Sequence, residues 1–124
     1  MPRKPAAWPK WDREASAHLL ERHRARQAAL KEAIGFLASR AFLRQLEKRE
    51  LTVSVADAEL AVELIREQVK TEAERAYCDL SGDSRRNVSM LEKRARKIAR
   101  RVVHELEALL ELRSELDEWG ATDV

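Results

Sequence analysis

The stretch AYCDLSGDSRRNV, residues 76–88, decides how the chain is read. Its middle, Ser81-Gly82-Asp83-Ser84, is the clearest turn in the sequence. Gly82 is placed to end one helix in the left-handed conformation, and Asp83 or Ser84 to cap the next. Before the turn, apolar residues recur at Ala58, Val62, Ile65, Val69, Ala73, Ala76 and Leu80. Steps of three and four fit a helix and exclude a strand. That helix is expected over about 55–80, opened by Ser54-Val55-Ala56-Asp57, a capping box with Asp where Glu is preferred. After the turn the stripe runs Val88, Leu91, Ala95, Ile98, Val102, Leu109, Leu112, Leu116 and Trp119, interrupted at Glu105 and widened by Ala99, Val103, Leu106 and Leu110. A helix over about 85–119, stopped by Gly120, follows.

So short a turn makes these two helices an antiparallel hairpin. Paired outward from the turn, Val55 falls opposite position 111, so the later helix overhangs by about 8 residues, roughly 12 Å. Leu112, Leu116 and Trp119 lie on the overhang and are too apolar to stand in water as a group. They need cover from the first helix or from a second chain, which makes the protein an expected homo-oligomer.

Upstream, a first helix is expected over about 13–49, with Asp12 as N-cap. Its stripe is Leu19, Leu30, Ala33, Ile34, Leu37 and Ala41, with Phe36, Phe42 and Leu43 off the main line. Between Ala33 and Leu46 it is apolar on several faces, as in a helix that is central or shared. Gly35 costs about 1 kcal/mol relative to Ala inside a helix, and so marks either close packing or a kink. Residues 1–12, MPRKPAAWPKWD, carry all three prolines and read as an irregular arm, with Trp8 and Trp11 beside Arg3, Lys4 and Lys10. Residues 121–124 are a short tail. The expected fold is all-α: three long helices in one domain, 13–120, probed by no proline after position 9.

Composition agrees. The chain has 124 residues, 37% charged and 5% aromatic, which suits a single helical domain. Cys78 is the lone cysteine, so no intramolecular disulfide can form, as befits a reducing compartment. No apolar run approaches the roughly 20 residues of a membrane span. The basic N-terminus lacks the apolar segment of a signal peptide. A cytoplasmic protein without membrane contact is expected.

Net charge is only +2, but it is unevenly spread. Segment 85–101 holds Arg85, Arg86, Lys93, Arg94, Arg96, Lys97, Arg100 and Arg101 against Glu92 alone, net +7. Segment 105–124 holds seven acidic residues against Arg113, net −6. At about 100° per residue, Arg86, Lys93, Lys97, Arg100 and His104 share one narrow sector opposite Leu91, Ile98 and Val102. From Arg86 to Arg100 the row covers roughly 21 Å of axis. Such a row reaches several phosphates, and released counterions supply the affinity. The bland alternative is a solvated face whose Lys and Arg stems shield the apolar stripe.

Catalysis has little support. His18 and His23 are five apart, on different sides of a helix, and His104 with Glu107 reverses the Glu-x-x-His order of di-iron bundles. No metal site and no cofactor are expected. Cys78 sits near a helix C-terminus, where the dipole disfavours a thiolate, and reads as a small half-buried residue. The carboxylates lie on faces read as exposed, and three glycines cannot build a phosphate loop. A small enzyme would need a hidden pocket. The expectation is a non-enzymatic, nucleic-acid-associated protein that binds the phosphate backbone. The alternative is a protein-binding adaptor or inhibitor using its charged ends and the sites Trp8, Trp11, Leu112, Leu116 and Trp119.

Overall fold

The computed structural model describes the backbone of residues 10–122 and the side chains of residues 13–120. It holds three helices and, among the described residues, no strand: α1 (Lys10–Lys48), α2 (Val55–Asp79) and α3 (Ser84–Thr122). Each helix packs on both others, α1 and α3 most extensively. At 1.5 Å per residue the two 39-residue helices are each about 58 Å long.

Two boundaries differ from expectation. Helix α1 begins at Lys10, so Asp12 lies inside it and does not cap it. Past Pro9 nothing in the sequence opposes helix. Gly120 does not stop α3, which continues to Thr122. A glycine in an exposed last turn weakens a helix by only about 1 kcal/mol. Trp8 falls outside the described residues, as does the side chain of Trp11 in the first turn of α1.

The core is a set of interlocking rows: Leu30, Ile34, Ala38, Phe42 and Leu46 from α1; Ala61, Ile65, Val69, Ala73 and Ala76 from α2; Ala95, Ile98, Ala99, Val102, Val103 and Leu106 from α3. Alanine supplies six of these sixteen positions, which lets helix backbones approach. The α1 row differs from the expected stripe. Phe42 is buried, whereas Leu37 and Ala41 are only partly so and Leu19 is exposed. A strict i,i+4 row turns about 40° per step, so the buried face of α1 winds around the helix. Phe36 and Leu43 stay outside it.

The two connectors exchange the roles their residues suggest. Helix α1 ends in a Schellman motif: the amide of Leu51 donates to the Leu46 carbonyl (3.0 Å) and that of Glu50 to Glu47 (3.1 Å). The left-handed residue is Glu50, at φ 53°. Gly82, by contrast, has no positive φ. Helix α2 ends at Leu80 in an extended conformation. Asp83 caps α3 by accepting from the Arg85 amide (3.0 Å). Asn87 braces the turn by accepting from the Ser81 amide (2.8 Å) and donating to its carbonyl (2.9 Å).

A Cβ at Gly35 would meet no atom within 4 Å. Close packing is therefore not its role. Every residue from Glu111 to Gly120 is exposed, with Leu112, Leu116 and Trp119 at 51%, 53% and 68%. Cover by α1 is thereby ruled out for these three.

Candidate nucleic-acid interface

Seven of the eight cations in the basic segment stand in solvent. Arg85, Arg86, Lys93, Arg96, Lys97, Arg100 and Arg101 are exposed, and of these Arg86, Lys93, Lys97 and Arg100 lie on the side of α3 away from Ala95, Ile98 and Val102. Among the described residues, Arg85, Arg86, Lys93, Arg96, Arg100 and Arg101 have no carboxylate partner at ion-pair distance. The Arg100 guanidinium lies back along the helix, its Nε donating to the Arg96 carbonyl (3.4 Å).

Arg94 is different. It turns into the α2–α3 contact and donates to Glu72 (2.8 Å) and to Asp79. Glu72 is 2% exposed, a buried carboxylate that sequence reading left on the surface. Arg75 approaches it at 3.5 Å and Lys97 at 3.9 Å, so a single carboxylate gathers three cations. Burying a carboxylate is costly unless it is paired and hydrogen-bonded. Arg94 is thus committed to the fold, and Lys97 partly so. A shallow groove of about 510 Å³ runs beside this cluster, lined by Arg86, Asn87, Lys93 and Arg94 among others.

The positive surface also extends where the sequence did not suggest it. Between α1 and α3 lies a cleft of about 210 Å³, lined by Leu37, Arg40, Ala41, Arg44, Glu92, Ala95 and Arg96. Arg40 and Arg44 therefore stand beside Arg96, with Glu92 the one acid of the lining. The signal was present as an i,i+4 pair of arginines in phase with the half-buried Leu37 and Ala41, but which helix would lie alongside is a tertiary fact.

The acidic stretch is partly answered from within. Asp57, also buried against expectation at 4% exposure, accepts both guanidinium nitrogens of Arg113 at 2.6 and 3.0 Å. It also accepts from the Ser54 hydroxyl at 3.0 Å, while Ser54 Oγ accepts from the Asp57 amide at 3.2 Å, completing the N-cap of α2. The Arg113 bonds, then that of Ser54, hold the Asp57 carboxyl below the usual carboxylate range, against the opposing effect of burial. The same pairing raises Arg113. Arg49 of α1 pairs with Glu107 of α3.

The other candidates stay apart. His23 packs edge-on against Tyr77, ring centroids 4.6 Å apart, and His18 lies exposed beside Glu21. Cys78 is exposed rather than half-buried. No group of three or more potential metal ligands gathers among the described residues, and no described helix is long and apolar enough to cross a membrane. Comparison of the chain with protein-family models, curated proteins and solved structures returns no match.

Proposed function

We propose that the chain is a non-enzymatic, nucleic-acid-associated protein that holds the phosphate backbone on the outer face of α3. The observation that carries this reading is the row of exposed cations from Arg85 to Arg101, Arg94 excepted, joined by Arg40 and Arg44 beside Arg96. Solvated lysines and arginines on ordinary helices are commonly interleaved with acids at i,i+4. Here Glu92 is the only acid in seventeen residues. Contact through phosphates predicts affinity that depends on salt and little on base sequence. We also infer that α2 and α3 run antiparallel. The pairing of Asp57 with Arg113 and of Asp79 with Arg94 supports it, early residues of one helix meeting late residues of the other. The lone cysteine supports a reducing, cytoplasmic setting.

The test is a titration of duplex and single-stranded DNA against salt. Four neutralised phosphates give a slope of log K against log salt near about −3.6 on duplex. The variant R86Q/K93Q/R100Q spares Lys97, which touches Glu72, and should flatten the slope by about 2.7 with helicity unchanged. R22Q/R24Q/R26Q, on the exposed early part of α1, should flatten it less. Absence of binding to either form at about 50 mM salt, where the phosphate contribution is strong, would overturn the proposal. A second reading, an adaptor or inhibitor of another protein, draws on the bare apolar residues Leu112, Leu116 and Trp119. A single stoichiometric protein partner copurifying in place of nucleic acid would favour it.

A further inference from the structure

On the side of the bundle formed by α1 and α2 lies an open groove of about 410 Å³. Its floor is apolar: Gly35, Phe36, Val62, Ile65 and Val69. Phe36 is 62% exposed and Val62 46%, so the fold leaves much of this surface uncovered. Gly35 keeps it open, since any side chain there would project into empty space. Lys31, Arg66 and Lys70 stand at the rim, with Glu32 the one acid among the lining residues.

The bare end of α3 has the complementary character. Leu112, Leu116 and Trp119 follow the i, i+4, i+7 spacing by which an amphipathic helix lays its apolar face into a groove. They fall within about 60° of one another around the axis. Glu111, Glu115 and Asp117 flank them, and the one cation among them, Arg113, is already held by Asp57. The lengths also agree. Leu112 to Trp119 covers about 10.5 Å of helix, and Lys31 to Ser39 on α1 about 12 Å.

We propose that this groove receives the C-terminal end of α3 from a second copy of the chain. A chain cannot fill its own groove. Its α3 is a continuous helix through Thr122, and Arg113 ties it to Asp57 at the start of α2, so the last turns have no route back to Gly35. The contact joins two unlike surfaces, helix end and groove; made reciprocally it closes a two-fold pair, and made head to tail it builds a longer assembly. It uses neither the outer face of α3 nor Arg44, and it meets the phosphate-binding surface only at Arg40, whose guanidinium lies over the Phe36 ring, 5.6 Å from its centroid; G35L and L116E both leave Arg40 in place.

Sedimentation velocity on the full chain tests it with two variants and their mixture. G35L fills the groove and leaves the α3 end intact. L116E spoils the α3 end and leaves the groove intact. The parent should self-associate at roughly micromolar concentration, and each variant alone should associate at least about tenfold more weakly. The equimolar mixture should regain association, because the intact α3 end of G35L can enter the intact groove of L116E. Melting of G35L should be unchanged or higher, since Leu is the better helix former, which separates loss of contact from loss of fold. A parent that stays monomeric, a G35L protein that associates like the parent, or a mixture no more associated than its components would each overturn the proposal.

Discussion

The two halves of α3 are continuous in backbone and opposite in circumstance. From Leu91 to Leu110 the helix buries one face completely, Ile98, Val102, Val103 and Leu106 being wholly inaccessible, and turns a row of cations outward. From Glu111 to Gly120 every residue is exposed, and leucine, tryptophan and acid share the surface. The same apolar stripe serves both halves, so the sequence pattern of the stripe does not say which half is packed. What differs is the partner: α1 and α2 accompany the first half, and α2 begins only at Val55. An apolar stripe reports a surface that needs covering, and the lengths of neighbouring helices decide whether the chain covers it alone.

The largest expected contrast is in stability. I98A removes a fully buried branched side chain between helices and should cost about 2–5 kcal/mol in unfolding. L116A, on a side chain half in water, should stay within about 0.5 kcal/mol when measured on the dissociated chain. Equal losses would mean the bare end is packed in solution. Early in the second half sits Arg113, and its partner Asp57 gives a pH signature. With its folded value depressed, Asp57 contributes stability that is present above the ordinary aspartate value, and this is lost as pH falls through the lowered one. D57N should therefore melt below the parent at neutral pH, with the gap closing below roughly pH 4. A gap that stays constant into acid would show that the pair does not hold the two helices together. The smallest effect is expected at Glu50, whose left-handed conformation favours glycine. E50G should raise stability by about 1 kcal/mol, read as an increase in Tm.

Much of the fold was legible because the signals were local. Helix periodicity, the run 81–84 and Ser54 placed the three helices to within about three residues at each end. What failed needed tertiary knowledge. The buried row of α1 winds around its axis, so a fixed-face reading preferred Ala33 and Leu37 to Ala38 and Phe42. The left-handed cap fell on Glu50 because the packing of Leu46 and Leu51 imposes the motif without help from glycine. Of the candidate site, exposure of the outer cations could be read from the opposite apolar sector. The commitment of Arg94 could not, because it depends on Glu72 across the interface. A hint existed: Glu72 and Asp57 both lie in phase with their buried neighbours, at 69–72–76 and 57–61–65, where an acid must find a partner. Arg40 and Arg44 could not be placed until α1 was known to lie beside Arg96.

The central claim is that α3 carries two separable surfaces, phosphate-binding in its first half and self-associating at its end. The direct measurement is the salt dependence of duplex DNA binding, taken on R86Q/K93Q/R100Q and on L116E. The account predicts a slope flattened by about 2.7 in the triple variant and a slope per chain unchanged from the parent in L116E. Equal flattening in both, or in neither, would contradict it.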